Sequence, residues 1–475
     1  MSVRYLLNPW MSLRGWKKLP YGLQNLGNGR TEFFNSREFE LLLSCDGKSP
    51  FDPKWSTALE LDTLAYWKEK NIIRECSAGE TLNPNQEYKY YDSVFKEGVH
   101  WSITGHCNYK CRHCFMSAPH ARSVDPTLEE LTEMLDAFSE CGIIGVDLTG
   151  GEPLIRPDFF ELVDRIRERD MIIRTIFSNG LLVTDEFLQK LKDRNLRPII
   201  QMSFDGIGWH DWMRGVPGAE QSVLDAFRRC KREGFPINAS MVVFKENIGT
   251  IRDTVKLLAE IGCTQLKVSL ASVAGEWKNE PEHYLTREEA FNAYLDYIPK
   301  FLEDGSPLTL VMEGMFVFDS NDKSAYSMFE KDCPKERFPY AFACGQMRRQ
   351  LYVSPEGNVL PCMSMIGTEV EPLFPNMRET PLKEILEHSY FEEVSGMTLQ
   401  DYMNANQECN ECEFRERCCG GCRANAPSLG TGGCYAKDPS ACDYFKQGWY
   451  KRKDALFKEL GLDQQDESLM EEACG

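Results

Sequence analysis

The chain has 475 residues, of which 42% are hydrophobic, and it carries a formal net charge of −19. That length and apolar content predict two to four domains with real cores. No segment approaches the roughly 20 unbroken apolar residues of a membrane span, and the acidic balance disfavours nucleic-acid partners. The first residues lack the apolar core of a secretory signal, so we expect a cytoplasmic protein that binds neither membrane nor nucleic acid.

The sequence contains 19 cysteines, which is many for a protein of a reducing compartment. Structural disulfides are disfavoured there, so clustered cysteines indicate metal ligands or catalytic thiols. Most of the cysteines fall into two groups, at residues 107–114 and 333–442. These two regions are therefore the first candidates for functional sites.

Residues 1–92 are predicted to form one small domain. The Gly-Asn-Gly segment at 27–29 is typical of a hairpin, and Ser36 is placed to cap a short helix. Residues 57–71 carry apolar side chains at roughly helical spacing. A hairpin followed by short helices indicates a winged-helix-like fold, and the polar segment 80–93 is interpreted as a linker.

The middle of the chain alternates strand and helix patterns. Residues 97–271 contain six apolar strand candidates, separated by helical segments and short loops. This pattern predicts an α/β fold whose parallel sheet curves into a partial (β/α)6 barrel, and we assign it residues 97–320. In such folds the chemistry lies at the carboxyl ends of the strands.

The carboxyl-terminal part is different in composition. Residues 333–445 are rich in Cys, Gly and Pro with little periodicity, which favours a fold organised by metal clusters. Residues 446–475 are predicted to begin as a helix and to end in an acidic tail.

Three cysteines follow the first predicted barrel strand, Cys107, Cys111 and Cys114, with the spacing C-x3-C-x2-C. Three thiolates with an open fourth position suit either a catalytic zinc or a [4Fe–4S] cluster with one unligated iron. The spacing resembles the signature of the radical S-adenosylmethionine (SAM) superfamily, with His113 at the position where many members have an aromatic residue. The resemblance implies that the cysteines hold a [4Fe–4S] cluster whose fourth iron is chelated by SAM.

Three further segments at predicted strand ends resemble SAM-contacting motifs of that superfamily. TGGEP resembles the motif that meets the SAM amino group. FSNG lies where relatives have a turn near the methionine moiety of SAM. SFDG, with the HDWMRG that follows it, resembles a segment that meets the ribose and the carboxylate of SAM. The SAM-contacting residues that this resemblance implies are Gly150, Gly151, Glu152, Pro153, Ser178, Asn179, Ser203 and Arg214. Of these, Glu152 is expected to bind the ammonium and Arg214 the carboxylate.

The second cysteine group has the spacing C-x12-G-x4-C, a gap, C-x2-C-x5-C-x3-C, a gap, and C. This array resembles the SPASM domain, a family that holds two auxiliary [4Fe–4S] clusters. The resemblance implies that the first auxiliary cluster is bound by Cys344, Cys362 and Cys422. It implies that the second is bound by Cys409, Cys412, Cys418 and Cys442. With the SAM cluster, three clusters are expected.

One ligand of the first auxiliary cluster is open at this point. Family members either recruit an extra upstream cysteine, for which Cys333 is the candidate here, or leave an iron free to bind a substrate thiolate. Cys419 and Cys434 lie outside the pattern and are interpreted as thiols near the clusters. A pair of zinc ribbons is the alternative for C-x2-C motifs alone.

The first 92 residues resemble, by pattern, the small peptide-binding domains fused to maturases of ribosomally made peptides. Such domains bind a leader peptide as an extra strand. The expected function is therefore hydrogen abstraction from a precursor peptide, followed by a thioether or carbon–carbon crosslink, with flavodoxin or ferredoxin as electron donor. The alternatives are an anaerobic sulfatase-type maturase that forms formylglycine and a non-catalytic iron–sulfur carrier.

Overall fold

The computed structural model describes residues 3–52, 54, 56–116, 125–273 and 275–462. The amino-terminal part contains six strands and two helices. They are β1 Tyr5–Leu7, β2 Met11–Lys17, β3 Leu19–Asn25, β4 Thr31–Phe33, α1 Ser36–Ser44, α2 Ala58–Glu69, β5 Ile73–Glu75 and β6 Lys89–Val94. Strands β1 and β5 pair with each other, and the others form a sheet in the order β4-β3-β2-β6.

The predicted hairpin at residues 27–29 is confirmed, because β3 and β4 pair antiparallel on either side of it. The predicted cap of α1 was wrong by one residue. The side chain of Asn35, not Ser36, accepts from the backbone N–H of Glu38, and the Glu38 carboxylate accepts from the Asn35 N–H in return. An amide oxygen one residue earlier therefore satisfies one of the free N–H groups of the first turn, that of Glu38.

The linker predicted at 80–93 was wrong in its last part, because β6 Lys89–Val94 is a strand. It pairs in parallel with β2, with Arg14 opposite Lys89 and Trp16 opposite Tyr91. The pairing buries Tyr91 and Ser93 and leaves the alternate side chains outside, so the strand has only a weak apolar signal of its own.

Trp16 joins the amino-terminal sheet to the barrel. Its indole Nε1 donates to the carbonyl of Cys141 at 3.0 Å, and its ring stacks on Tyr91 at 5.6 Å. Gly142 makes this approach possible, because a Cβ there would lie 2.6 Å from the Trp16 Nε1. The amino-terminal part is thus packed directly on the end of a barrel helix.

The barrel region supplies the main sheet and core. Its strands are β7 Gly98–Ser102, β8 Gly145–Thr149, β9 Ile172–Ser178, β10 Ile199–Ser203, β11 Ile237–Val243, β12 Gln265–Leu270, β13 Thr309–Met312, β14 Phe316–Phe318 and β15 Ala325–Ser327. Its helices are α3 Leu128–Glu140, α4 Phe159–Arg167, α5 Asp185–Asp193, α6 His210–Arg214, α7 Ala219–Arg232, α8 Ile251–Ile261 and α9 Arg287–Glu303.

The six predicted barrel strands, β7 to β12, are confirmed as neighbours in chain order and in parallel. Strand β13 adds a seventh parallel strand beyond β12, followed by antiparallel β14 and β15. Buried apolar side chains of the strands and of α3 to α9 form the largest core cluster. The carboxyl ends of the parallel strands consequently meet at one rim.

The carboxyl-terminal region begins on the other side of β7. Its elements are α10 Gly345–Arg349, β16 Gln350–Val353, β17 Val359–Leu360, α11 Leu382–His388, α12 Tyr390–Ser395, α13 Leu399–Ala405, α14 Gln407–Asn410, α15 Arg415–Cys418, α16 Asn425–Ser428, α17 Pro439–Lys446 and α18 Trp449–Leu460. Strand β16 pairs in parallel with β7 and so extends the main sheet into this region. The predicted terminal helix is confirmed by α18, and the predicted acidic tail from residue 463 lies outside the described residues. Within the described ranges, no helix has the length and apolar character needed to cross a bilayer.

Candidate functional site

The first three cysteines lie in the loop after β7, at the rim of the sheet. Burial raises the pKa of the Cys107 thiol to about 12, and Cys111 and Cys114 lie near enough to raise it further. Three neighbouring, half-buried thiols become thiolates more readily when a cation binds between them. This donor set fits a cluster with three cysteine ligands.

The TGGEP turn after β8 packs directly on the cysteine loop. The Gly151 N–H donates to the Thr104 carbonyl at 2.9 Å, and the Glu152 N–H donates to the His106 carbonyl at 2.9 Å. A Cβ on Gly151 would lie 2.1 Å from the His106 oxygen. Gly150 has a φ of +151°, which L side chains rarely adopt. Glycine is therefore required in this turn, because its backbone packs directly against the backbone of the cysteine loop.

Glu152 is fully buried under this turn. Its carboxylate accepts from the Asn179 N–H at 2.7 Å, the Leu154 N–H at 3.1 Å and the Ser178 hydroxyl at 3.1 Å. Burial still raises its pKa to about 7, against those hydrogen bonds. A carboxylate has about four acceptor positions, so three donors leave room for one more. An ammonium group would complete the set and offset the buried charge, so the residue fits the role expected of it.

The remaining predicted SAM contacts lie around this point. Pro153 begins a short 3-10 helix after Glu152. The Asn179 side chain donates to Asn108 of the cysteine loop at 2.7 Å, which ties the FSNG turn to the cluster loop. Ser203 ends β10 and lies opposite Ser240 of β11. The predicted residues of three different strands are thus brought to one rim.

Arg214 ends α6 beside the cysteine loop and is engaged by a residue that the motif analysis did not select. Its Nε and Nη2 donate to the two carboxylate oxygens of Asp205 at 2.6 and 3.0 Å. Its Nη1 points to the Cys111 sulfur at 3.7 Å. Asp205 belongs to the SFDG segment itself, so the motif contained the signal.

The second auxiliary set is brought together by folding. One cavity is lined by Cys409, Cys412, Cys418 and Cys442. The last of these lies on α17, well after the other three in the sequence. Lys437, Lys446 and Arg415 line the same cavity. Four thiols with cations around them fit an anionic [4Fe–4S] cluster.

The first auxiliary set is also brought together by folding. Desolvation by the surrounding protein raises the pKa of the Cys422 thiol to about 12, with Cys362 and Cys344 among the neighbours that raise it further, although part of the Cys422 residue is exposed. Cys333 is buried in a separate apolar cluster that contains Cys419. Its backbone N–H donates to the Glu416 carbonyl at 2.9 Å, and the Cys419 thiol approaches the same oxygen at 3.2 Å.

A polar group at the barrel rim was missed by the sequence analysis. Lys267 Nζ lies 2.8 Å from a carboxylate oxygen of Glu313, and Ser269 donates to the other oxygen. Although burial favours the neutral acid, Lys267 and Ser269 hold the pKa of Glu313 below its usual range. Glu313 is also near enough to raise the pKa of the Cys362 thiol. Lys267 and Ser269 are two residues apart on β12 and share a face, which was the available signal.

Comparison with known proteins agrees with this geometry. Residues 101–258 match the Radical SAM superfamily, and residues 344–413 match SPASM, an iron-sulfur cluster-binding domain. The PqqA peptide cyclase of Granulibacter bethesdensis is 26% identical over 350 residues, 72% of this chain and 86% of that protein. The AdoMet-dependent heme synthase of Nitratidesulfovibrio vulgaris is 26% identical over 365 residues, 73% of this chain and 92% of that protein.

A solved structure shares the fold over almost the whole chain. The crystal structure of Streptococcus suis SuiB bound to precursor peptide SuiA is 16% identical, with a TM-score of 0.65, and the match covers 93% of this chain and 100% of that one. The chain therefore contains a radical SAM domain and a SPASM domain and is an enzyme, with SAM and [4Fe–4S] clusters as its cofactors. Among such enzymes it is similar in sequence to peptide cyclases and heme synthases. Its status as an enzyme excludes the non-catalytic carrier.

Glu152→Gln is expected to weaken SAM binding about 13- to 160-fold. The reason is the loss of a charge-assisted contact to the ammonium, worth on the order of 1.5–3 kcal/mol. Equilibrium binding of SAM to the reconstituted enzyme measures the effect. Glu129→Gln, an exposed carboxylate on α3, serves as the control. SAM affinity equal to that of the unaltered enzyme, with all clusters retained, would remove Glu152 from the SAM site.

Proposed function

We propose that this enzyme abstracts a hydrogen atom from a ribosomally made precursor peptide and installs a thioether or carbon–carbon crosslink. The observation that carries the proposal is the open edge of the amino-terminal sheet beside a helix with exposed apolar side chains. Similarity to a peptide cyclase supports it, as does a fold shared with a protein crystallised with its precursor peptide.

The open edge is β4 Thr31–Phe33. The Phe34 N–H donates to the Tyr21 carbonyl, and the Asn25 N–H donates to the Arg30 carbonyl, so alternate residues of the strand face β3. Thr31 and Phe33 therefore direct their backbone groups away from the sheet. The Thr31 carbonyl accepts from Arg349 at 3.4 Å, and the backbone groups of Phe33 are placed to pair with an extended peptide.

Helix α2 supplies the apolar surface beside this edge. Its Trp67 is buried and meets the ring of Phe34 at 5.8 Å. Two other apolar side chains of this helix are not buried, since Leu59 is 71% exposed and Tyr66 is 54% exposed. Helix α2, which packs through Trp67 on Phe34 at the end of β4 and carries exposed apolar side chains, could supply apolar anchor sites for an extended leader.

The barrel residues would hold and orient the reactants. The bound cluster and SAM supply radical chemistry that removes a hydrogen atom from carbon. In the proposal, Cys107, Cys111 and Cys114 hold the cluster, Glu152 fixes the SAM ammonium, and the sheet rim receives the peptide core. Flavodoxin or ferredoxin would supply electrons, and the auxiliary clusters would accept the electron left after bond formation.

Mass spectrometry of a candidate precursor tests the proposal. The full-length enzyme is incubated without oxygen with SAM, a reductant and a short peptide encoded beside its gene. We expect loss of a pair of hydrogen atoms and a new crosslink in the core. Conversion of a Cys or Ser to an aldehyde would instead indicate the sulfatase-type maturase. Turnover of a tetrapyrrole with no change in any peptide would contradict peptide modification.

A further inference from the structure

Arg214 is placed to act on a cluster ligand. It is 7% exposed, at the end of α6, and Nη1 is directed at the Cys111 sulfur at 3.7 Å. The opposite side of its guanidinium is held in a two-pronged ion pair by Asp205, at 2.6 and 3.0 Å. A planar guanidinium fixed along one edge has little freedom to turn, so the direction of Nη1 is set by Asp205.

Asp205 is itself held from several sides. It is fully buried, and one of its oxygens accepts from the Val242 N–H at 3.1 Å. The Asp205 N–H donates to His210 Nδ1 at 3.0 Å, and its carbonyl accepts from the Asn247 side chain at 2.8 Å. Although burial opposes ionisation, the Arg214 guanidinium holds the pKa of Asp205 far below its usual range. The carboxylate is therefore a charged, immobile support for Arg214.

We propose that Arg214 is a positioning residue that donates a hydrogen bond to the Cys111 sulfur and raises the reduction potential of the SAM-binding cluster. Hydrogen bonds to ligand sulfurs and nearby positive charge stabilise the reduced, more negative cluster. The direction given to Nη1 by Asp205 supports this role in place of the SAM carboxylate contact expected from the motif. The proposal does not depend on the identity of the substrate.

The test is a redox titration of the holoenzyme without SAM, followed by electron paramagnetic resonance. The variant lacking Cys107, Cys111 and Cys114 gives the spectrum of the auxiliary clusters, which is subtracted. Arg214→Met is expected to shift the potential of the remaining signal downward. We expect the ratio of reduced to oxidised cluster at a fixed potential to fall about tenfold, or about 59 mV for one electron.

Arg112→Met is the matched control. Arg112 belongs to the same cysteine loop, but it pairs with Glu280 at 2.5 Å and lies over the Trp212 ring at 4.6 Å. The potential of this variant should shift much less than that of Arg214→Met, because it loses a neighbouring cation but no hydrogen bond to the Cys111 sulfur. An equal shift in both variants would overturn the proposal by showing a general charge effect.

Arg214→Lys provides a second test if the Arg214→Met variant loses its cluster. Lysine keeps the positive charge but lacks the planar guanidinium that pairs with both oxygens of Asp205. We therefore expect a smaller downward shift of the reduction potential, with full iron content. SAM affinity is measured on the same samples. An unchanged potential together with a large loss of SAM affinity would overturn the proposal and return Arg214 to the SAM carboxylate.

Discussion

Replacing Cys107, Cys111 and Cys114 together by alanine is expected to abolish reductive SAM cleavage and to remove about four of about twelve irons. These thiols are the only protein ligands that the signature provides for the SAM-binding cluster, so no partial site is left. The auxiliary thiols are held by other elements, and the cavity lined by Cys409 and Cys442 does not depend on the loop after β7. The measurements are iron content after anaerobic reconstitution and release of 5′-deoxyadenosine.

Cys76→Ala is the control, because this partly exposed thiol lies at the end of β5 in the amino-terminal part. It should keep all iron and all SAM cleavage. Changing Cys409 and Cys412 together should remove one auxiliary cluster and leave the SAM-cluster signal in place. Iron near four in the unaltered enzyme, with zinc bound in the carboxyl-terminal region, would contradict the two auxiliary clusters.

Deleting residues 1–92 is expected to reduce leader-peptide affinity to background while uncoupled SAM cleavage continues. The docking edge lies in the deleted part, and the residues proposed to hold SAM follow it in the barrel. Fluorescence polarisation of a labelled precursor with the full-length and shortened enzymes measures the difference. The deletion also removes Trp16, which packs against Gly142 of the barrel. A thermal unfolding measurement must therefore show that the shortened enzyme is folded.

Two point variants isolate the strand edge in the intact chain. Phe33→Ala removes the aromatic ring but keeps the outward N–H, whereas Phe33→Pro removes both. Edge strands tolerate proline, so the fold should survive. One hydrogen bond contributes about 0.5–1.5 kcal/mol, so the proline variant should bind the leader a further roughly 2- to 13-fold more weakly than the alanine variant. Equal affinities for the two variants would argue against pairing at β4, and equal affinity after deletion would show that recognition lies elsewhere.

The sequence was sufficient wherever the signal is local. Apolar runs of strand length predicted β7 to β12, since every position of these strands is buried or partly buried and each run can be recognised without its partner. The spacing of Cys107, Cys111 and Cys114 predicted a cluster loop, because ligands of one small site must lie close along the chain. The radical SAM and SPASM assignments rest on such spacings, and the comparisons confirm both.

Contacts between distant residues were decided only in the tertiary structure. Strand β6 looked like a linker because its pairing partner, β2, lies more than seventy residues earlier, as with Arg14 and Lys89. The apolar spacing of residues 57–71 predicted a helix, but a helix at the surface buries only the face that meets a neighbour, so Trp67 is buried and Leu59 is exposed. No local pattern reports where such a neighbour will lie.

At the site, Arg214 illustrates the same difference between what the sequence determines and what the tertiary structure determines. The sequence by itself determined that an arginine follows the SFDG segment. Only the folded chain decided its partners, because Asp205 comes from the end of β10 and Cys111 from the loop after β7. Sequence motifs determine which chemical groups are present, but the direction of a hydrogen bond depends on the packing of separate elements around it.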